Sequence, residues 1–279
     1  MTTANASIRD LLRARPDGRP LLPAIEADAH PGVTDKDEAL SQADDAAARL
    51  GDLQERLWAQ QTRSLLVVLQ GMDTSGKGGT VEHVFRGVNP AGLDVAAFKK
   101  PTEEELAHHF LWRIERRLPA PGEIVIFDRS HYEDVLVARV HDLVPEEVWR
   151  ARYDEIVGWE RRLVAAGTTV VKVVLHISYE EQRERLLARL DDPTKHWKFR
   201  EGDIDERRRW HDYMAAYEDA IARCATEEAP WYVVPADRKW YRNWAVTRLV
   251  LETLEGIDPR YPDPGLDVPA LKARLEPPN

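Results

Sequence analysis

The chain of 279 residues carries a formal net charge of −10, is 43% hydrophobic and 32% charged, and contains a single cysteine, Cys224. This length suits one large α/β domain with a sizeable core, and the acidic balance argues against a nucleic-acid coat, leaving a polyanion only a locally basic groove. One cysteine excludes an internal disulfide, no apolar run nears the roughly 20 residues of a membrane span, and Met1 to Arg15 lack a secretory apolar stretch, so a cytoplasmic location is expected, with neither membrane nor nucleic acid as partner.

Residues 1–35 are interrupted by Pro16, Pro20, Pro23 and Pro31 and read as an arm lying on the surface or on a partner subunit. From Asp37 to Gln61 the pattern is helical, with Leu50, Leu53 and Leu57 on one face. A first apolar strand, Ser64 to Gln70, leads into a glycine-rich loop and a helix from Lys77 to about Arg86. Asn89 to Gly92 is a turn, and Asp94 to Phe98 a second strand. Thr102 and Glu105 have capping-box spacing and open a helix expected to run to about Arg117. Glu123 to Phe127 is a third strand ending in Asp128. A helix from Pro145 to Ala166 stops at Gly167, Thr169 to Ile177 is a fourth strand, and Ser178 with Glu181 caps the next helix. Trp231 to Val234 is a fifth strand, and a helix from about Arg242 to Glu255 precedes a proline-rich tail. Strands alternating with helices imply an α/β fold: a parallel five-stranded sheet sandwiched by helices. The division expected is an arm at 1–35, one domain at 36–258 with a lid at about 183–209, and a tail at 259–279.

The glycine-rich loop, Gly71-Met-Asp73-Thr-Ser-Gly76-Lys77, fits the phosphate-binding pattern G-x-x-x-x-G-K. Glycines let backbone N–H groups of Gly76, Gly78 and Gly79 turn toward phosphate oxygens, the following helix aims its positive end at the same anion, and Lys77 adds a full charge. The Ser or Thr that ordinarily follows the lysine and holds Mg²⁺ is Gly78 here. Asp73 stands inside the loop instead, where a carboxylate would repel phosphate unless a metal lay between them. It reads as a metal or acceptor-phosphate ligand.

Asp128 follows the third strand, where a Walker B carboxylate belongs, and can supply one oxygen to Mg²⁺ across from the loop. Arg129 is placed to neutralise a moving phosphoryl group. Glu133 reads either as a further metal ligand or as a solvated side chain. Between the fourth and fifth strands, Arg185 and Arg189 share a helix face, Pro193 ends that helix, and a basic-aromatic segment through Arg200 follows. Such a segment can close as a lid that brings arginines onto phosphates. Arg86, Lys99, Lys100, Arg113, Arg116 and Arg117 add positive charge around the loop and suggest a groove longer than one nucleotide needs. His108, His109 and His131 lack zinc spacing and read as structural.

Three stretches together resemble the polyphosphate kinase 2 family: Gly71 to Gly79, Phe127-Asp128-Arg129-Ser130-His131-Tyr132-Glu133-Asp134, and the region of Arg189. The resemblance covers roughly residues 40 to 255. It implies a P-loop kinase fold with a helical lid, and Mg²⁺-dependent, reversible phosphate transfer between inorganic polyphosphate and nucleotides, with Mn²⁺ as a substitute. By matching position, Asp73, Lys77, Asp128, Arg129 and Arg189 form the expected catalytic set, and Asp73, Asp128 and Glu133 the metal set. Arg86 becomes a polyphosphate contact, Arg185 a further phosphate contact, and Glu133, Lys99 and Lys100 belong to the nucleotide acceptor. The segment from His131 to Val137 looks like the branch that phosphorylates both nucleoside mono- and diphosphates, here adenine and also guanine nucleotides. A homo-oligomer, dimer or tetramer, is implied as well.

Two rivals stand beside this reading. Asp-Arg-Ser after the third strand also resembles ATP-dependent deoxynucleoside and thymidylate kinases, against which Gly78 and the extra basic groups argue. A non-catalytic nucleotide-binding regulator would keep the fold, but the candidate charged groups are all retained.

Overall fold

A computed structural model describes residues 7–18 and 21–275, so parts of the expected arm (1–6 and 19–20) and of the tail (276–279) lie outside the described residues. Five strands, β1 (Ser64–Gln70), β2 (Leu93–Ala97), β3 (Ile124–Asp128), β4 (Thr168–His176) and β5 (Trp231–Pro235), form one sheet in the order β2-β3-β1-β4-β5. Every pairing is parallel. β1 is central and buried along its whole length, which is why Leu65 to Leu69 are apolar without alternation. The chain moves from β1 toward β2 and β3 on one side and then crosses to β4 and β5 on the other. A crevice opens outside the carboxyl ends of strands where such an order reverses. The register sets Leu69 beside Asp128 and Gln70 beside Val174, so the glycine loop and Asp128 emerge at that crevice.

The two sheet edges are treated differently. β2 leaves Asp94, Val95 and Ala97 exposed, whereas all five residues of β5 are buried. The cover on β5 corrects the reading of residues 1–35 as a surface or partner-bound arm. A helix at Ile8–Leu12 leads into an antiparallel bridge from Arg13 to Tyr232, and Ala14 N–H donates to the Trp231 carbonyl at 2.8 Å. Ile8, Leu12, Ala14, Leu22 and Val33 are buried in the common core. An exposed strand edge presents unpaired amides and carbonyls, and here the chain's own beginning pairs with part of them.

The helix expected from Thr102 to Arg117 is also corrected. The capping box forms, but the helix stops after Glu103–Leu106, and a second short helix spans Trp112–Glu115. In one continuous helix residues 105 and 113 would stand about 12 Å apart along the axis. Instead Arg113 folds back to within 3.7 Å of Glu105 and donates to the Lys99 carbonyl at 2.8 Å. The helix expected from Asp37 to Gln61 is likewise two, Lys36–Ser41 and Ala43–Gln60.

Beyond β4 come a helix at Tyr179–Leu190, a 3₁₀ turn at Pro193–Lys198 and a helix at Gly202–Arg208, which together occupy the expected lid. A helix at Trp210–Cys224, not anticipated, returns the chain to the body, and the last long helix runs Lys239–Ile257. Among the described residues no helix is long and apolar enough to cross a membrane.

Candidate active site

The loop after β1 turns sharply because two of its residues are glycine. At Gly71 (φ 148°) a Cβ would stand 2.8 Å from the Leu175 carbonyl oxygen, and Gly76 (φ 100°) caps the helix Lys77–Val84 in a left-handed conformation. Lys77 Nζ folds back to donate to the Gly71 carbonyl at 2.8 Å, which holds the ammonium over the loop. Burial lowers the Lys77 pKa below the ordinary lysine value, against the opposing pull of Asp73.

Across the crevice, the end of β3 delivers Asp128 and then Arg129. Arg129 adopts φ 63°, unusual for a side chain with a Cβ, while its N–H donates to the Leu69 carbonyl at 3.0 Å. This turn aims the guanidinium back at the glycine loop, where Nη2 donates to Asp73 Oδ1 at 3.0 Å. Glu133 lies on the 3₁₀ turn His131–Asp134, which is capped by Ser130 Oγ. Gln70, the last residue of β1, donates to the same Ser130 Oγ at 3.0 Å, tying the turn to the base of the loop. Burial raises the Glu133 carboxyl pKa, with Arg129, Lys77 and the Gln70 amide pulling the other way. Burial works against the charge on Arg129, but Glu133 and Asp73 outweigh it and raise its pKa.

Asp73, Lys77, Asp128, Arg129 and Glu133, scattered over 60 residues of sequence, are therefore neighbours in one crevice. Gly78 and Gly79 are exposed on the first turn of the loop helix, beside Lys77. Arg189 stands near the end of the helix Tyr179–Leu190, where Nη1 donates to the Lys198 carbonyl at 3.0 Å and approaches Asp203 at 3.5 Å. Neither partner belongs to the glycine loop or to β3. Arg86 lies beyond the far end of the loop helix, exposed and 4.0 Å from Asp44, and Lys99 and Lys100 are exposed beyond β2.

Arg185 departs from its expected place. Its Nε donates to Glu181 (2.7 Å), Nη1 to the carbonyls of Thr74 (2.9 Å) and Ser75 (3.1 Å), and Nη2 to those of Ala236 (2.6 Å) and Asp237 (2.8 Å). A guanidinium has five N–H donors, and all five are committed. Arg185 is a brace beneath the loop rather than a phosphate contact.

Phosphoryl transfer on this kind of loop uses a divalent cation. Among the described residues no three His, Cys, Asp or Glu side chains form a protein-only cage. The donor chemistry fits a hard cation that keeps waters and phosphate oxygens as ligands: carboxylate oxygens from Asp73, whose Oδ1 also accepts from Arg129, and from Asp128.

Residues 33–262 match the family model described as "Polyphosphate kinase 2 (PPK2)". The chain belongs to the polyphosphate kinase 2 family. Among similar proteins, the AMP/ADP-polyphosphate phosphotransferase of Meiothermus ruber is 52% identical over 253 residues, 90% of this chain and 95% of its own. The ADP-polyphosphate phosphotransferase of Rhodopseudomonas palustris is 44% identical over 227 residues, 77% and 78% of the two chains. The crystal structure of polyphosphate kinase 2 from Arthrobacter aurescens TC1 matches with a TM-score of 0.94 at 45% identity, covering 97% of each chain.

Three residues of this polyphosphate kinase 2 crevice escaped the sequence reading. Tyr217 accepts the Gly71 N–H on its hydroxyl at 3.1 Å, and burial, then Glu133, raises its phenol pKa far above normal. Gln182 donates to the Asp73 carbonyl at 3.2 Å, and Arg242 donates to the Ser75 carbonyl at 3.3 Å. The helix carrying Tyr217 has a legible signal, with Tyr213, Ala216, Tyr217, Ala220, Ile221 and Cys224 buried at helical spacing. Nothing in that spacing says which tyrosine reaches the loop.

Proposed function

We propose that the chain transfers the terminal phosphate of inorganic polyphosphate to AMP and ADP, forming ADP and ATP. The observation that carries this reading is the cluster of Lys77, Asp73, Arg129, Asp128 and Glu133 at the adjoining carboxyl ends of β1 and β3. Gly78 in place of a metal-holding hydroxyl and the names of the similar proteins favour polyphosphate over ATP as donor.

In this mechanism, Lys77 and the loop N–H groups of Gly76, Gly78 and Gly79 hold donor phosphates. Asp73 and Asp128 would hold Mg²⁺, or Mn²⁺ in its place, with Glu133 beside them for metal or acceptor; the cation supplies charge neutralisation between carboxylates and phosphates. The acceptor's terminal phosphate oxygen attacks the end phosphorus of polyphosphate in line, and the bridging oxygen departs with the shortened chain. Arg129 neutralises the moving group from its present position, and Arg189 joins it when the lid closes. Lys99 and Lys100 attract the acceptor and Arg86 a distal part of the polyphosphate. One anhydride is broken and one formed, so the step runs both ways.

The domain division at 36–258 with its lid, the cytoplasmic location, use of guanine nucleotides and a homo-oligomeric state belong to the same proposal. Light scattering that finds only monomer rejects the last. The deciding experiment is a mass-resolved nucleotide assay with Mg²⁺, long-chain polyphosphate and AMP, without ATP. ADP and ATP both appearing supports the proposal, ADP alone restricts the acceptor to AMP, and phosphorylation only after ATP is supplied sinks the donor assignment.

A further inference from the structure

Two guanidiniums lie beneath the glycine loop, and they differ in their partners. Arg185 has the Glu181 carboxylate at 2.7 Å and bonds with all its donors. Arg242, reaching in from the last long helix, is 5% exposed and has no such anion. Its Nη1 donates to the Ser75 carbonyl at 3.3 Å, and Nε and Nη2 share the neutral Asn243 Oδ1 at 3.1 and 2.8 Å. Among the described residues no carboxylate forms an ion pair with it. Burial and the neighbouring Arg185 charge lower its pKa to about 10, so it remains a cation at neutral pH. A buried cation with no counter-charge disfavours the unliganded fold, and such a group persists where something else supplies the charge.

Its location says what could. A Cβ on Gly76 would collide with Arg242 Nη1, and one on Gly79 would lie 3.7 Å from Nη2. The charge therefore sits against the first turn of the loop helix, under the amides that face an incoming phosphate. Arg185 and Arg242 also share the Ser75 carbonyl as acceptor, at 3.1 and 3.3 Å. The peptide bonds are trans, so a carbonyl drawn down onto the guanidiniums turns the Gly76 N–H the opposite way, toward the loop interior.

We propose that Arg242 is a positioning residue for the donor: buried without an anion of its own, it takes its counter-charge from the phosphate chain seated in the loop and fixes the Gly76 peptide that contacts that chain. This rests on reading the loop as the seat of polyphosphate. At short range in a low-dielectric interior the attraction across one layer of backbone is poorly screened. Binding of the anion then relieves a cost that the unliganded loop carries.

The test compares full-length wild type, Arg242→Gln and Arg242→Lys by thermal unfolding with and without tripolyphosphate, and by steady-state kinetics. Arg242→Gln is expected to melt at or above the wild-type temperature without ligand, because an unbalanced charge has been removed. It should lose at least half of the rise in Tm that tripolyphosphate gives wild type, and its KM for polyphosphate should rise about tenfold or more with the AMP KM within about twofold. Arg242→Lys, which keeps the charge, should recover part of the ligand-induced rise. A merely structural residue behaves the other way: a lower Tm without ligand and an undiminished response to tripolyphosphate overturn the proposal. Failure of Arg242→Gln to fold also overturns it, since Arg242 would then be needed by the unliganded fold. A wild type stabilised by ATP and not by tripolyphosphate overturns the donor reading instead, and the same variants compared with ATP then decide the role of Arg242.

Discussion

Two charged clusters meet at the turn His131–Asp134 and obey opposite rules. In the crevice, Asp73, Lys77, Asp128, Arg129 and Glu133 lie at and just beyond the carboxyl ends of β1 and β3, only partly buried. Behind the sheet, Lys172 in the middle of β4 meets Glu160 at 2.5 Å, the Tyr132 hydroxyl at 3.0 Å and the Cys224 carbonyl at 2.7 Å. Glu160 in turn accepts from Tyr132 at 2.9 Å and contacts His131 Nε2 at 3.2 Å. All four side chains are essentially inaccessible to water. Burial opposes the Glu160 charge, yet Lys172 and His131 hold its pKa below the ordinary value, while burial keeps His131 below its own. The buried cluster is balanced by the protein itself, whereas the crevice is arranged to be completed by a substrate. His131 and Tyr132 connect the two, since their turn carries Glu133.

The largest effect should come from unbalancing the buried cluster. Lys172→Ala leaves buried Glu160 without its cation, and should lower stability by about 3–5 kcal/mol. Chemical denaturation gives this directly, and the double variant Lys172→Met/Glu160→Leu should recover most of the loss. Recovery failing would mean the cluster supports the fold through more than charge balance. In the crevice the same kind of change should spare the fold and strike the reaction. Asp73→Asn and Asp128→Asn are each expected to lower kcat by about a hundredfold, or about 2.7 kcal/mol in barrier, with Tm close to wild type. Near-normal turnover in either variant removes its assigned role.

Glu133→Gln should separate stability from activity within the crevice. Its folded carboxyl has a raised pKa, so the folded state favours the proton and stability falls as pH rises from the ordinary carboxylate value through the folded one. At neutral pH the Gln variant should therefore melt above wild type while losing activity. The wild-type pH profile should fall on the acid side as Glu133 gains its proton and on the alkaline side as Lys77, with its lowered pKa, loses one. Removing Glu133 should abolish the acid limb, and a limb that survives assigns it to another group. The smallest effect belongs to Arg86, exposed at the far end of the loop helix. Arg86→Ala should raise the KM for long polyphosphate by about three- to tenfold, leave that for tripolyphosphate nearly unchanged and leave kcat intact.

The strands, the glycine loop and the acidic end of β3 are readable along the chain because each rests on local pattern. A fully buried parallel strand needs an unbroken apolar run, as at Leu65 to Leu69, and a loop that cradles phosphate needs its glycines and lysine at set intervals. The resemblance carried by Gly71 to Gly79 and Phe127 to Asp134 added the family, which the match over residues 33–262 bears out. Other features rest on contacts that no local pattern encodes. Arg185 and Arg189 share a helix face in sequence, yet one braces the loop and the other bonds to the Lys198 carbonyl of the segment that follows the helix. Arg242 meets Ser75 from 167 residues away, and the first helix covers β5 from more than 200. The break between Leu106 and Trp112 follows from Arg113 turning back to Lys99 and Glu105. Short-range periodicity and spacing were enough to place the strands, the loop and the chemical kinds of group at the crevice. Which arginine braces the loop, which turns to the Lys198 carbonyl and which lies buried without an anion emerges from packing alone, because a side chain's charge balance depends on what the fold places around it.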